Sequence, residues 1–284
     1  MSVRRPYVAG SFYPRDPQRL RSDIEDCFKH ALGPGRLPVK GEKPRSLIAL
    51  VCPHAGYIYS GPVAAHSYLA LGEEKALETA IILCPNHTGL GSAVSLMGEG
   101  YWETPLGRVK IDQDLSKAIF KVSGIIDMDE SAHQYEHSIE VQLPFLQYLY
   151  GSSVEIVPIC MGFQDLETSR NVGGAIAEAA KGRNVIVIAS TDMTHQESQE
   201  SAARKDRLVL DAIEAMDEER VQEVVRVNRM TMCGYGPVSA ALIASKRLNA
   251  YKAEILSYHT SGDITGDRGA VVGYASAKIT RKVQ

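Results

Sequence analysis

Two histidines follow two similar apolar segments, and their placement is typical of residues that bind a metal ion. The segments Leu47–Gly56 and Ala80–Gly89 each begin with an apolar run of the buried-strand type, then reach Cys-Pro and a histidine two residues before a glycine. The pattern predicts that His54 and His87 lie at the carboxyl ends of consecutive core strands, where open α/β sheets bind ligands. Two imidazoles in one crevice indicate a metal site, although each ring could instead only hydrogen-bond within its own turn.

A second group of polar residues follows the strand-like run that ends at Ala189. Thr194 and Glu197 have the spacing of a capping box, which predicts that Thr194 caps a helix and that His195 lies in the first turn. There the helix dipole disfavours a cationic imidazole, so we expect His195 to stay neutral and to serve as a general base. Asp192 could orient this ring, or it could only help to cap the helix.

One cysteine lies outside the apolar runs. Cys233 is in a glycine-flanked loop before Pro237, a residue that commonly opens a helix. A thiol in such a loop is accessible and could be reactive or bind metal, but it could equally be a small residue packed under the helix start. Cys52 and Cys84 end strands, where their thiols should point into the core. With His54 and His87 they would form the alternative of a closed structural zinc site.

The segment from His133 to His137 has the spacing of an inverted zinc-peptidase motif, in which two histidines hold zinc and the intervening Glu136 acts as a base. That mechanism needs one continuous helical turn. Pro144 follows closely and is expected at the start of the next helix, which leaves His133 and His137 in a loop or a distorted turn. We therefore expect Glu136 and His137 to form the wall of a pocket whose mouth Tyr57 lines, and we expect no metal shared by His133 and His137.

Strand-like and helical segments alternate along the chain, which predicts a layered α/β fold. The predicted strands are Ser46–Val51, Thr79–Cys84, Val154–Met161, Asn184–Ala189 and Gly269–Ala277. The predicted helices are Arg19–Leu32, Val63–Leu71, Asp112–Val122, Pro144–Leu149, Leu166–Lys181, His195–Met216 and Pro237–Leu248. The Gly-rich motifs that cradle nucleotide phosphates are absent from the sequence. We expect a single domain over residues 1–284.

Composition excludes several classes of protein. The 284 residues are 44% hydrophobic and 23% charged, and the formal net charge is −3 without a dense basic block, so no nucleic-acid partner is expected. No apolar run approaches the roughly 20 residues that span a bilayer, and the first residues lack a signal segment, so we expect a cytoplasmic protein without a membrane partner. The five cysteines are then expected as free thiols or metal ligands.

Taken in order, these motifs resemble those of the Memo family, named for a mediator of receptor-driven cell motility in animals. The likeness extends from Ala9 to Ala275 and rests on five segments: Pro53–Gly61, Pro85–His87, Glu136–Glu140, Ser190–His195 and Met232–Gly234. The resemblance implies a mixed central sheet flanked by helices, similar to that of the class III extradiol dioxygenases, which hold non-haem iron with two histidines and one glutamate. It implies His54, His87 and Cys233 as metal ligands, with Asp192 and His195 beside them.

Two departures from the related proteins limit what the resemblance implies. A thiolate replaces the carboxylate ligand of the dioxygenases, which favours softer metals such as copper(I), zinc or iron. Val8 stands where some relatives have a histidine, so any role of that histidine is absent here. Prokaryotic relatives are linked with an AMMECR-type protein and a radical SAM protein, which implies a shared pathway.

The favoured interpretation is therefore a protein with one metal ion, iron or copper by preference and zinc as an alternative, that performs redox chemistry on a small molecule. Two histidines and one anionic ligand on one face would leave open positions for dioxygen or substrate. The alternative is a non-enzymatic module that uses the same pocket to bind a metal or a peptide, because folds can outlive their chemistry. A zinc hydrolase is a lesser alternative.

Overall fold

The computed structural model describes residues 2–39 and 41–282, which form one mixed β-sheet with helices on both faces. The strands are β1 (Val3–Arg4), β2 (Leu47–Cys52), β3 (Thr79–Pro85), β4 (Val94–Leu96), β5 (Tyr101–Thr104), β6 (Gly107–Ile111), β7 (Asp127–Met128), β8 (Glu155–Met161), β9 (Val185–Ser190), β10 (His195–Glu197), β11 (Ala250–Thr260) and β12 (Val271–Arg281). The helices are α1 (Pro17–Lys29), α2 (Tyr57–Gly72), α3 (Gln113–Val122), α4 (Leu143–Tyr150), α5 (Leu166–Ala179), α6 (Gln199–Glu214), α7 (Glu218–Val227), α8 (Tyr235–Arg247) and α9 (Ser261–Thr265). Two short 3-10 helices lie at Ser131–His133 and Glu140–Gln142.

Four parallel strands form the middle of the sheet, in the order β8, β3, β9, β2. They are rich in isoleucine, valine and leucine and are buried along almost their whole length, as is expected of parallel strands covered by helices on both faces. Cys52 pairs in register with Ser190, and Cys84 pairs with Cys160, so these strands end at nearly the same level. The loops that follow them therefore meet at one edge of the sheet.

The two faces of the sheet bury separate apolar clusters because successive strand residues point to opposite sides. Ile81 of β3 belongs to the cluster covered by α3, α5, α6, α7 and α8. Ile82 belongs to the cluster covered by α1, α2 and α4. Strand β12 runs antiparallel to β2, which makes the sheet mixed. The predicted fold class, an α/β protein with a mixed central sheet flanked by helices, is confirmed.

Most predicted elements are present, with shifted boundaries and several omissions. Helix α2 begins six residues earlier than the predicted start at Val63, and it contains Pro62. The sequence patterns do not predict helices α7 and α9, the edge strand β11 or the short strands β1, β4, β5, β6, β7 and β10. Within the described residues, no helix is both long and apolar enough to cross a bilayer.

Candidate metal centre

Three imidazole rings converge at the carboxyl edge of the central strands. One ring nitrogen from each of His54, His87 and His137 lies within 4.8 Å of the other two. The rings of His87 and His137 are stacked, with centroids 4.8 Å apart, and His54 meets both of them edge-on. Bonds of roughly 2.0–2.1 Å from nitrogen to one ion allow donors to be about 4 Å apart, so small side-chain movements would suffice. The sequence placed His137 on the pocket wall, whereas the structure brings its ring into the same cluster as two predicted ligands.

The tautomer of His54 follows from the hydrogen bonds around Ser190. The Ser190 hydroxyl donates to the carbonyl of Ser138 at 2.8 Å and accepts from Gln142 Nε2 at 2.9 Å. Its remaining lone pair faces His54 Nδ1 at 2.9 Å, so Nδ1 must carry the proton and Nε2 must be the unprotonated nitrogen. Burial, together with the charges of His137 and His87, holds the pKa of His54 well below its ordinary value. His54 is therefore a neutral ring with a lone pair available at Nε2.

Glu136 orients His87 in a similar way. Its carboxylate accepts the backbone N–H of His87 at 2.7 Å and the ring Nδ1 at 3.1 Å, and it also accepts the backbone N–H of Ser138. Burial opposes ionisation of Glu136, but its hydrogen bonds and the charge of His87 outweigh this and hold the pKa of Glu136 well below its usual range. Burial likewise opposes a positive charge on His87, yet Glu136 leaves the pKa of His87 raised. A carboxylate behind Nδ1 leaves Nε2 of His87 to face the cluster.

Cys233 approaches one ring of this cluster, that of His54, from the loop before α8, but its thiol lies outside the group of mutually close ring nitrogens. Its Sγ lies 3.2 Å from His54 Nε2 and accepts the backbone N–H of Asp192, also at 3.2 Å. Burial, and then the charge of Asp192, raises the pKa of the Cys233 thiol. The loop approaches closely because residue 234 is glycine: a Cβ on Gly234 would lie 2.5 Å from the carbonyl oxygen of Ser190. A bound cation would reverse the electrostatics that now keep this thiol protonated.

Asp192 and His195 lie beside this cluster. Asp192 accepts the backbone N–H of His54 at 2.8 Å, and its carboxylate lies 4.0 Å from His54 Nε2. Burial raises the pKa of Asp192 to about 6. The ring of His195 lies close enough that its charge contributes to lowering the pKa of His54. His195 Nδ1 lies 2.9 Å from the carbonyl of Thr231 and must donate to it, which leaves Nε2 of His195 as the nitrogen that can accept a proton.

The predicted helix start at Thr194 is wrong. Helix α6 begins at Gln199 and is capped by Ser198, whereas His195 belongs to β10 and pairs with Val272 of β12. The hydroxyl of Thr194 is buried and has no hydrogen-bond partner among the described residues, so it caps nothing there. The dipole of α6 therefore does not act on His195 as the sequence predicts. The hydrogen bond from Nδ1 to the carbonyl of residue 231 sets the tautomer of this ring.

The segment that suggested a zinc peptidase does not form a continuous helical turn. A 3-10 helix ends at His133, whose ring is fully buried, with Nε2 3.2 Å from the carbonyl of Ser95. His137 lies instead among the other two site histidines. Pro144 occupies the first turn of α4, as predicted. This geometry does not support the inverted zinc-peptidase arrangement.

The remaining residues of interest lie in the core. The Tyr57 hydroxyl donates to the carbonyl of Val141 at 2.7 Å, and its buried ring packs on Phe145. A role of Tyr57 at the pocket mouth stays a prediction. Cys52 and Cys84 are free thiols with no exposed surface, inside the apolar cluster below the site. The metal-compatible group found among the described residues contains neither of them, and it does not contain Cys233 either.

Comparison with known proteins agrees with this architecture. The model of the Memo-like protein family matches residues 4–278. A MEMO1 family protein of Methanopyrus kandleri is 52% identical, over 98% of this chain and 99% of its own length. Another from Methanothermobacter thermautotrophicus is 54% identical, over 96% of this chain and 99% of its own length. The solved structure of an uncharacterised protein of Escherichia coli K12 covers 82% of this chain and 99% of its own, with a TM-score of 0.53 and 12% identity, which shows a related fold only.

The fold is thus an α/β architecture with a histidine cluster at the carboxyl edge of its parallel strands. The chain belongs to the Memo family.

Proposed function

We propose that this protein holds one transition-metal ion between His54, His87 and Cys233, with His137 as a further donor, and uses it for redox chemistry on a small molecule. The observation that carries the proposal is the convergence of three imidazole nitrogens within 4.8 Å, beside a thiol 3.2 Å from one of them. Imidazole suits iron, copper and zinc, and a thiolate shifts the preference toward softer ions. The ligand set itself remains a prediction.

The donor set fits such an ion chemically. His54 is a neutral imidazole whose Nδ1 proton is committed to Ser190, and Nδ1 of His87 faces a carboxylate. Partners of this kind behind a ligating histidine fix the ring and increase its basicity. A bound iron or copper ion would supply one-electron redox chemistry at this place.

The chain's own residues would handle protons around a substrate. Nε2 of His195 can accept a proton, because Nδ1 of that ring is committed to a backbone carbonyl. Asp192, with a pKa raised by burial to about 6, can exchange a proton near neutral pH. We assign His195 as the base and Asp192 as the group that positions His54 and shares protons with the site.

One observation favours a second function, a metal-binding module without turnover. Three imidazoles and one thiolate make four donors, the number found in closed tetrahedral sites, which leave no position for a substrate. Under this alternative the ion would be structural or regulatory, as zinc or copper(I). From the family resemblance alone we also propose a functional link to AMMECR-type and radical SAM proteins.

The test begins with metal content. Protein purified without oxygen should contain about one ion per chain, and Cys233→Ser and His54→Ala should each lose most of it. Cys27→Ser, a buried cysteine elsewhere, and His30→Ala, an exposed histidine, serve as matched controls and should retain the metal.

Oxygen uptake then separates the two functions. Metal-loaded protein offered reduced small-molecule substrates should consume dioxygen if the redox function is correct, and His195→Ala should slow this uptake by roughly 10²–10⁴-fold while keeping the metal. Stoichiometric metal without any uptake would favour the binding module. Metal-free protein that takes up neither iron, copper nor zinc would contradict both.

A further inference from the structure

A groove rich in arginine lies at the end of the sheet opposite the histidine cluster. It forms where β2 and β9 begin and consists of two adjoining cavities of about 340 and 700 Å³, both lined by Arg45 and Arg281. Because β2 has six residues and a strand rises about 3.3 Å per residue, this groove lies roughly 20 Å from His54. It is therefore a separate place on the molecule, beyond the reach of the proposed metal chemistry.

The groove contains a buried arginine, Arg45, whose positive charge is only partly neutralised by its neighbours. The side chain of Arg45 is 11% exposed, and neither of its terminal nitrogens has a hydrogen-bond partner among the described residues. The nearest carboxylate, Glu74, lies 3.8 Å away, and it already accepts the backbone N–H groups of Ser46 and Leu47. Burial lowers the pKa of Arg45, the charge of Glu74 offsets only part of this effect, and the positive charge of Arg281 adds to it. A charge in this position is poorly screened by solvent, so it projects a positive potential into the groove.

Two further guanidinium groups are exposed at the sides of the groove. Arg183 is 3.9 Å from the carboxylate of Asp112, which is too far for a hydrogen bond. Arg281 is exposed and forms no ion pair with any described residue. Lys282 adds a fourth positive charge, with its amine above the ring of Tyr251. The described residues that line the two cavities include no aspartate or glutamate. The groove therefore has an excess of positive charge in a chain whose formal net charge is −3.

We propose that this groove binds a small molecule bearing a phosphate group, held directly by Arg183 and Arg281 and attracted by the buried charge of Arg45. The planar donor fork of arginine matches phosphate oxygens in pairs. A doubly charged phosphate compensates several guanidinium groups better than one carboxylate does. The apolar side chains of Leu47 and Leu248 in the same lining offer a surface for the carbon portion of such a molecule.

The probe for this site is inorganic phosphate, with acetate as the carboxylate comparison, measured by calorimetric titration at low ionic strength. The wild-type protein should bind phosphate saturably and more tightly than acetate. Arg281→Gln and Arg45→Met should each weaken phosphate binding about 10-fold or more, the loss expected when a charged hydrogen bond or a nearby charge is removed. Arg207→Gln, which changes an exposed arginine of α6 that pairs with Asp211, is the control and should bind phosphate normally.

Folding can be checked independently of binding. Arg281 is exposed, so its replacement should leave the unfolding temperature unchanged. Arg45→Met removes a poorly compensated buried charge, and Glu74 keeps its hydrogen bonds to the backbone of residues 46 and 47, so this variant should unfold at nearly the same temperature as the wild type without ligand. Phosphate added at one concentration should raise that temperature more for the wild type than for this variant. Phosphate binding that is absent, or equally tight in both folded variants, would overturn the proposal. Acetate binding as tightly as phosphate would overturn the assignment of a phosphate group.

Discussion

Replacement of Ser190 by alanine should uncouple His54 from the scaffold that orients it. The Ser190 hydroxyl is the acceptor for His54 Nδ1 and for Gln142 Nε2, and it donates to the carbonyl of Ser138. Without it, two buried donors lose their acceptor and His54 can rotate or change its tautomer. We expect weaker metal binding although no donor to the ion has been removed.

The structure sets the size of two effects. Each buried donor left unsatisfied costs about 1–3 kcal/mol, so Ser190→Ala should reduce the free energy of unfolding by about 2–4 kcal/mol, allowing for partial relaxation. Loss of the partner behind a ligating histidine should reduce metal affinity by roughly 10–100-fold. Ser67→Ala is the matched control: Ser67 is equally buried, but its hydroxyl makes one hydrogen bond, to the carbonyl of Val51. That variant should lose about 1 kcal/mol and keep its metal affinity.

Chelator competition gives the metal affinity, and denaturant unfolding gives the stability. Metal binding by Ser190→Ala as tight as that by Ser67→Ala would show that the Ser190 hydroxyl has no role in orienting His54. Equal losses of affinity in both variants would show that general destabilisation, and not the tautomer of His54, controls binding.

Three further predictions concern protons and packing. Burial lowers the pKa of His133 to about 4, so between pH 6.5 and 4 this histidine binds a proton in the unfolded chain but not in the folded one. The free energy of unfolding should therefore fall by about 3 kcal/mol from pH 6.5 to 4. His133→Gln should abolish that part of the loss, as measured by denaturant unfolding. Glu136→Gln should lower the pKa of His87 in metal-free protein, as measured by NMR titration, because the hydrogen-bonded charge that raises it is gone. Gly234→Ala should displace the loop that carries the thiol and reduce metal content several-fold, because the new methyl group would meet the carbonyl oxygen of Ser190 at 2.5 Å.

Each of these predictions has an outcome that would contradict it. An unchanged pH dependence in His133→Gln would mean that other groups control acid unfolding. An increased pKa of His87 in Glu136→Gln would reverse the assigned role of that carboxylate. Gly124→Ala, where an added Cβ meets nothing within 4 Å, is the control for the glycine variant, and equal metal loss in both would exclude a local cause.

The sequence predicts the edge of the sheet that holds the site because that edge depends on local patterns. The apolar runs before His54 and His87 are long enough to be buried strands, and each ends in a loop with proline and glycine. Because both strands run parallel to β9 in one sheet, the loops after them lie at the same edge, and no long-range contact has to be known to predict this. The same reasoning could not place His137, because its position depends on contacts of the adjacent Glu136 with a residue 49 positions away.

The error at His195 has a different physical origin. Thr194 with Glu197 has capping-box spacing, but Ser198 is also a good cap and lies four residues later. Pairing of His195 with Val272 draws residues 195–197 into a strand, so a tertiary contact decides between two locally acceptable helix starts. Such a contact leaves no local signal in the sequence around the histidine.

X-ray absorption spectroscopy of the metal retained after anaerobic purification would show which kinds of side chain hold the ion. We expect a shell of imidazole nitrogens at roughly 2.0–2.1 Å with one sulfur at about 2.3 Å, distances typical of zinc and similar ions. In variants reloaded with an excess of the same ion, the sulfur contribution should disappear in Cys233→Ser, and the nitrogen contribution should decrease in His54→Ala. A shell of oxygen atoms, or one unchanged by either substitution, would contradict a metal held at the convergence of His54, His87 and Cys233.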